Sequence, residues 1–252
     1  MGKIEQKIYG IYHTHTKFSK FFHGKDSATQ MIEEADNLGL EEYAITDHGF
    51  KHFFGIRKKN IKKLREIIDK ENENRKVKTL MGMELNLLGL NGETDFCDEC
   101  ERVLDIRLMG VHRAGRTTIK NFFNFILPNL FNGKSEDVVE KNTDAYIKAI
   151  KRYKIDIVTH PQEYFRVNLI RLANACVENN CYLEINNKHL NLTDDEMQEL
   201  IKTDVKFIVS SDAHKKEDIL KVDRAIEFLI RNNVPEERIA NLNKLPNFIE
   251  KY

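Results

Sequence analysis

The stretch Ile8-Tyr9-Gly10-Ile11-Tyr12-His13-Thr14-His15 decides the fold, because a short apolar run ends in two histidines. The run predicts a buried β-strand, and residues i and i+2 of a strand point to the same face. Both imidazoles can therefore reach one ion at the strand end. One such pair is a weak signal, since paired histidines also occur in cores and on surfaces.

The same arrangement of an apolar run before a histidine or carboxylate recurs along the chain. The further runs are 43–46 before His48, 80–83 before Glu84, 106–111 before His112, 155–159 before His160, and 207–209 before Asp212. Residues 182–185 form another predicted strand. Parallel strands joined by helices close into a β/α barrel whose active site lies at the strand C-termini. We predict an α/β fold, a single parallel barrel with seven strands.

Helical patterns lie between these runs. Ser27 is the predicted N-cap of a helix that Gly39 ends, and further helices are predicted over 57–74, 142–153, 167–179, 218–232 and 235–252. Thr193 to Glu196 resembles a capping box that opens another helix. Residues 88–105 are predicted as a loop. The aromatic segment 122–131 has a helical pattern ending near Pro128 or Gly133, and three roles stay open: core packing, a lid, or a subunit contact.

Composition and charge argue against a nucleic-acid-binding protein and against a membrane protein. The chain has 252 residues and a formal net charge of zero, whereas a nucleic-acid binder usually carries a basic patch or tail. No apolar stretch approaches the roughly 18 residues of a membrane span, and the polar start lacks the apolar core of a signal peptide. We therefore expect a cytoplasmic protein with neither a nucleic-acid nor a membrane partner. A homo-oligomer is left open.

Nine side chains predict one metal centre. They are His13, His15, His23, His48, Glu84, His112, His160, Asp212 and His214. Seven of the nine histidines fall at or just after predicted strand ends, where a random scatter would place many on the charged helices. One tetrahedral ion takes four ligands, so two or three ions are implied. Such clusters serve phosphoryl transfer, and Glu84 can bridge two ions.

Four other residues flank this set. His52 is predicted at a solvated loop position, and His189 is predicted to line the pocket without binding metal. Arg113 and Arg166 are candidate phosphate contacts, because they follow His112 and His160 closely in sequence. A surface position is the competing interpretation for both arginines.

Seven short motifs together resemble the PHP (polymerase and histidinol phosphatase) family, closest to its YcdX-type phosphatases. The motifs are His13-Thr14-His15-Thr16, Ala44-Ile45-Thr46-Asp47-His48-Gly49, Gly82-Met83-Glu84, Gly110-Val111-His112, Thr159-His160-Pro161, Leu183-Glu184-Ile185-Asn186-Asn187 and Ser210-Ser211-Asp212-Ala213-His214. The set is specific, although no single member is. The chain departs from the family at 17–22, which is aromatic and basic, and at 113–135, which is longer and more apolar. Both segments flank the predicted site, where substrate choice is decided.

The resemblance implies a distorted seven-stranded (β/α)7 TIM-like barrel, with residues 1–252 as a single PHP-type domain. It also implies three divalent ions per chain, with zinc favoured over iron or manganese. By resemblance, His13, His15, Glu84 and Asp212 hold the first ion; Glu84, His112 and His160 the second; and His23, His48 and His214 the third. Glu84, Asp212 and His214 are assigned catalytic roles as well.

The implied activity is hydrolysis of phosphomonoesters by a metal-bound hydroxide. Metal coordination lowers the pKa of water to about 7, so no protein nucleophile is needed. Three alternatives remain: a histidinol-phosphate phosphatase, a phosphodiesterase or exonuclease of the same family, and a non-catalytic metal-binding module. Zero net charge counts against the exonuclease. The complete ligand set counts against the non-catalytic module.

Overall fold

The fold is a barrel of parallel strands, seen in a computed structural model that describes residues 7–248. The strands are β1 (Gly10–Ile11), β2 (Glu42–Ile45), β3 (Lys78–Asn86), β4 (Ile106–Gly110), β5 (Ile157–Val158), β6 (Tyr182–Asn186) and β7 (Phe207–Ser210). All seven follow one another in chain order, and each pairs in parallel with the next. A parallel bridge from Thr14 to Ala213 joins the ends of β1 and β7. The barrel is therefore nearly closed, which confirms the predicted fold.

Helices connect the strands on the outside of the barrel. They are α1 (Ala28–Asn37), α2 (Ile61–Asn72), α3 (Asp98–Glu101), α4 (Ile119–Asn121), α5 (Leu127–Asn132), α6 (Glu136–Tyr153), α7 (Leu169–Glu178), α8 (Asp194–Ile201) and α9 (Asp223–Arg231). Ser27 is the N-cap of α1 and Thr193 opens α8 with a capping box, both as predicted. Ser27 also forms a reciprocal capping box, with Gln30. None of the helices within residues 7–248 combines the length and the apolar character needed to cross a membrane.

Two apolar layers hold the barrel together. The strands are buried on both faces, as expected where helices cover a parallel sheet. The smaller layer includes Tyr12, Leu80, Leu108 and Ile208. The larger layer packs the other strand faces against the helices. This packing directs the polar residues that end the strands to one rim, where the candidate site lies.

The chain after α9 bonds to β1 and β7 at the place where the barrel closes, which we call the seam. The predicted helix over 235–252 is therefore wrong for residues up to 248. Only the 3-10 turn Glu236–Arg238 is helical there, and residues 249–252 lie outside the described part. Asn241 is fully buried, donates to the carbonyls of Gly10 and Val209, and accepts from the Val209 amide. These bonds satisfy backbone groups of β1 and β7, which a helix at this position could not reach.

The aromatic segment after β4 is helical but irregular. Its middle, Phe122–Ile126, is a π-helix between α4 and α5. Pro128 does not end the helix, because it lies in the first turn of α5, where a missing amide hydrogen is tolerated. Phe125 is buried, whereas Phe123 and Phe131 are mostly exposed. The predicted loop 88–105 also contains the short helix α3.

Candidate metal centre

A polar cavity of about 390 Å³ opens at the C-terminal rim of the barrel. Seven of the nine predicted metal ligands line it: His23, His48, Glu84, His112, His160, Asp212 and His214. The other two, His13 and His15, are buried and contact Glu84 and Asp212 from within the barrel. The structure therefore brings all nine side chains together at the end of the barrel where such folds carry active sites.

Glu84 is the centre of this cluster. It is fully buried at the end of β3. Its Oε1 lies 3.3 Å from His13 Nε2, 3.1 Å from His112 Nε2 and 2.8 Å from His160 Nε2. Its Oε2 lies 2.7 Å from His48 Nδ1 and 3.6 Å from His15 Nε2. One carboxylate thus faces five imidazoles, with its two oxygens turned to different groups of them.

A second convergence lies beside the first. His23 Nε2 is 2.8 Å from His214 Nε2 and 3.3 Å from His48 Nε2. Asp212 connects the two, because its Oδ1 lies 3.2 Å from His15 Nε2 and 3.4 Å from His214 Nδ1. The three residues predicted for a third ion therefore face one another around a common point.

Three of the imidazoles are hydrogen-bonded at Nδ1, which directs their Nε2 atoms into the site. His13 Nδ1 lies 2.7 Å from Glu184 Oε1, His112 Nδ1 lies 2.8 Å from Asn86 Oδ1, and His214 Nδ1 lies 2.8 Å from the Asp212 carbonyl. These oxygens can only accept, so each Nδ1 carries the hydrogen and donates it. Each Nε2 is then left with a free lone pair. Tethering of this kind is typical of metal-binding histidines.

The backbone bends sharply at two of the predicted ligands. His160 has φ of 27° and Asp212 has φ of 53°, left-handed values that side chains larger than glycine rarely adopt. Each such residue costs about 1–3 kcal/mol and tends to occur at functional sites. Gly110 makes room for the first bend, because a Cβ there would lie 2.8 Å from the His160 ring.

The residues fit divalent ions. Within the described part of the chain, Asp212 Oδ1 and Glu84 Oε2 are buried and lack a hydrogen-bond partner of good geometry. The potential ligand atoms form four groups, and within each group they all lie within 4.8 Å of one another. The groups are His13–His15–Glu84, Glu84–His112–His160, His15–His48–His214 and His48–His52–His112. A buried arrangement of lone pairs and carboxylates that lacks hydrogen donors is stabilised by cations.

The surroundings act on the imidazoles in two ways. Burial opposes charge on His13 and His160, but the nearby carboxylates of Glu84 and Glu184 outweigh it and raise the pKa of both rings. Burial lowers the pKa of His23 to about 4 and holds those of His15 and His48 well below the usual value. These imidazoles are neutral near pH 7, which is the form that binds metal. Burial also opposes charge on Glu84 and Asp212, but the surrounding imidazoles outweigh it and lower both carboxyl pKa values well below the usual range.

The two predicted arginines lie in different places. Arg113 lines the cavity, and its guanidinium lies over the Tyr164 ring at 5.4 Å. The cavity lining does not include Arg166, whose Nη1 lies 3.2 Å from Glu196 Oε1. A cation that the sequence did not indicate, Lys188, also lines the cavity, with its Nζ 3.9 Å from Asp212 Oδ2.

The solvated position predicted for His52 is wrong. Its side chain is buried and lines the cavity, and its ring centroid lies 3.9 Å from that of His48, with the two planes tilted by 39°. The segment folds back because the Ile56 amide donates to the His48 carbonyl and the Phe53 amide to the Ala114 carbonyl. The sequence did carry a sign of this burial. Phe50, Phe53 and Phe54 flank His52, and three phenylalanines are unusual in a solvated loop.

His189 lies in the cavity wall, as predicted. Its Nδ1 is 3.2 Å from Glu163 Oε1 and its Nε2 is 3.5 Å from Asp212 Oδ2. Glu184 is the main residue to which the sequence assigned no role, although its motif is among those quoted above. It accepts from His13 and also from the His160 amide at 2.7 Å.

Comparison with known proteins identifies the family. The model of the PHP domain matches residues 12–188. The chain belongs to the PHP domain family. It is 29% identical to a "probable phosphatase" of Caldanaerobacter subterraneus subsp. tengcongensis, over 99% of this chain and 94% of that protein. It is 26% identical to a "probable phosphatase" of Acetivibrio thermocellus, over 95% of this chain and 94% of that protein.

A solved structure shares the fold. The histidinol phosphate phosphatase of Lactococcus lactis subsp. lactis, crystallised with zinc, L-histidinol and phosphate, superposes with a TM-score of 0.58. The alignment covers 89% of this chain and 94% of that chain at 15% identity. This likeness supports the barrel fold described above.

Proposed function

We propose that this protein is a metal-dependent phosphatase that hydrolyses phosphomonoesters. The observation that carries the proposal is Glu84, whose two buried oxygens face separate groups of imidazoles. A carboxylate in that position can bridge two ions. Family membership and the names of its relatives support the same reaction class.

The contacts favour three ion positions. The first would use His13, His15, Glu84 and Asp212; the second Glu84, His112 and His160; and the third His23, His48 and His214. The spacing of ligand atoms supports His13, His15 and Glu84 for the first ion and the whole set for the second. Asp212 is assigned by its contact with His15, and His23 by its contacts with His48 and His214. Neutral imidazoles and carboxylates suit zinc, and they also suit iron and manganese. Zinc is favoured because the Lactococcus lactis enzyme of the same fold was crystallised with it.

Bound divalent ions supply a nucleophilic hydroxide near neutral pH and offset the charge of the phosphoryl group. The chain's own residues set the geometry. Glu184 and Asn86 fix the rings of His13 and His112, and the barrel excludes water from beneath them. Arg113 and Lys188 line the cavity on the solvent side and would contact phosphate oxygens there. The partner is then a small phosphorylated molecule.

The unbroken run of seven neighbouring strands also supports the proposal that the chain forms one domain. The direct test of the function is hydrolysis of p-nitrophenyl phosphate by protein purified without chelator. We expect turnover that a chelator abolishes and that added zinc or manganese restores. A substrate screen that includes histidinol phosphate would then narrow the leaving group. Protein that carries metal but releases no phosphate from any monoester would contradict the proposal.

A further inference from the structure

A pair of cysteines lies outside the metal cavity, in the sequence Cys97-Asp98-Glu99-Cys100. Cys97 immediately precedes α3, and Cys100 lies on it. Their Sγ atoms are 3.2 Å apart, and both thiols are free. At this separation the two sulfur atoms need only a small movement to form a bond. The pair is therefore placed to form a disulfide.

The two thiols differ in their access to solvent. Cys97 is half-buried, whereas Cys100 is fully buried. Burial, together with the neighbouring thiol of Cys97, raises the pKa of the Cys100 thiol above its usual value. Thiol–disulfide exchange begins at an accessible sulfur, so a reagent in solution meets Cys97 first. Cys100 is then the second thiol, which attacks Cys97 from within the fold.

A zinc site is the other common use of two cysteines at this spacing, and a structural zinc ion needs four ligands. In the part of the chain that the structure describes, the groups of three or more potential metal ligands include neither cysteine. All of these groups consist of histidines and Glu84 at the barrel rim. The surroundings of Cys97 and Cys100 therefore favour redox chemistry over metal binding.

The chain contains a second pair of cysteines that provides an internal comparison. Cys176 lies on α7, and Cys181 directly precedes β6. Both are almost completely buried, at 0% and 4% exposed. Burial and the neighbouring Cys176 thiol raise the pKa of Cys181 well above its usual value. Because a reagent in solution has so little access to either sulfur, we expect this pair to stay reduced in the folded protein.

Negative charge surrounds the accessible thiol. Asp98 and Glu99 are exposed in the first turn of α3, directly after Cys97. Glu101 is exposed too, although Arg107 Nη2 lies 3.8 Å from its Oε1 and offsets its charge. An anionic reagent is therefore repelled from Cys97, whereas a cationic or uncharged reagent is not.

We propose that Cys97 and Cys100 form a reversible dithiol–disulfide site, which exchanges with small disulfides that carry no net negative charge. In the first step Cys97 loses its proton to water and its sulfur attacks the small disulfide, whose S–S bond breaks. One half leaves as a thiolate, which takes up a proton. Cys100 then loses its proton and attacks the Cys97 sulfur, which releases the other half in the same way. Two protein thiols are thereby oxidised, and one small disulfide is reduced to two thiols.

The direct test is exposure of the folded, reduced and metal-loaded protein to cystamine, a cationic disulfide, followed by alkylation in denaturant and mass spectrometry. We expect a loss of two hydrogens, a link between Cys97 and Cys100, and alkylation of Cys176 and Cys181. Dithiothreitol should reverse the link. Failure to form the link, or equal oxidation of both pairs, would overturn the proposal. Because the state of the sulfur atoms is measured, the result does not depend on the proposed phosphatase function.

Single variants separate the roles of the two thiols. Cys100→Ala should keep a stable mixed disulfide with one cysteamine group on Cys97, because the second thiol is missing. Cys97→Ser should form no adduct, because Cys100 is buried. Cys176→Ala is the matched control and should still form the Cys97–Cys100 link. An adduct on Cys100 in Cys97→Ser, formed as fast as the link in the unchanged protein, would overturn the proposed order of attack.

The rates with two disulfides test the assigned class of reagent. Cystamine is cationic and glutathione disulfide is anionic, so we expect cystamine to react faster at low salt and the ratio of the two rates to fall as salt is added. Asp98→Asn combined with Glu99→Gln should lower this ratio roughly tenfold. The control Glu199→Gln, on α8, should leave it unchanged. A ratio that neither salt nor the double variant changes would overturn the preference for reagents without negative charge.

Discussion

His13 Nδ1 lies 2.7 Å from Glu184 Oε1, and both side chains are fully buried. The second oxygen of Glu184 accepts from the His160 amide, also at 2.7 Å. A single carboxylate on β6 therefore fixes the ring of one predicted ligand and the bent backbone of another. These bonds hold two imidazoles on the same Glu84 oxygen, so Glu184 positions the centre without joining it.

Replacing Glu184 should weaken metal binding. Glu184→Gln keeps an acceptor for His13 but removes the negative charge that makes the imidazole a stronger ligand. We expect a loss of metal affinity of roughly 10- to 100-fold, the range found for such supporting partners. Competition with a chromophoric chelator measures it. The control Glu199→Gln, on the exposed side of α8, should retain full affinity. Equal affinity in both variants would contradict the positioning role.

His52 tests the proposed ligand set. Its ring lies 3.9 Å from that of His48 and 5.0 Å from that of His112, yet none of the ion-pair contacts within residues 7–248 joins it to Glu84 or Asp212. We expect His52→Ala to keep the full number of ions, whereas His48→Ala loses one. Elemental analysis of both variants decides between them. An ion missing from His52→Ala would add His52 to the ligands.

The two arginines provide a matched pair of variants for kinetics. Arg113 lines the cavity and Arg166 contacts Glu196 outside it. Loss of a charged hydrogen bond to phosphate should lower kcat/KM of Arg113→Ala by roughly 10- to 100-fold, mainly through KM. Arg166→Ala should match the unchanged protein in the same steady-state assay. If Arg166→Ala lowers kcat/KM and Arg113→Ala does not, Arg166 contacts the phosphate and the assignment of Arg113 is wrong.

Asn241 tests the closure of the barrel. It is fully buried and makes three hydrogen bonds to backbone atoms of Gly10 and Val209. Asn241→Ala leaves these groups buried without partners, so the free energy of unfolding should fall by about 3 kcal/mol. Denaturant unfolding measures the loss, and the exposed Asn124→Ala serves as the control. A change below about 0.5 kcal/mol, typical of surface substitutions, would show that the seam tolerates the loss.

The strands and most helices could be predicted because their signals are local. Apolar runs predicted the strands, and capping residues such as Ser27 and Thr193 marked two helix starts. The seam formed by Asn241 could not be predicted, because its three bonds join residues distant in sequence. The π-helix over Phe122–Ile126 was missed for another reason, since its sequence has the apolar character of an ordinary helix.

In the site, too, features with a local sequence signal could be predicted, and features that depend on contacts between distant residues could not. Placing predicted ligands at strand ends was enough to gather all of them except His23, since parallel strands end on one rim. His23 reaches the site from the loop between β1 and α1. The burial of His52 depends instead on how 48–56 folds back, and the role of Glu184 on contacts between β6, β1 and the end of β5. Arg113 and Arg166 looked equivalent in sequence, and only the fold separates them.

The most direct test of the central claim is elemental analysis of protein purified without chelator, with p-nitrophenyl phosphate hydrolysis measured on the same sample. We expect about three ions per chain and chelator-sensitive turnover, consistent with clusters of metals acting in phosphoryl displacement. Asp212→Ala or His13→Ala should lose both metal and turnover. Full metal content together with retained activity in either variant would contradict the proposed site.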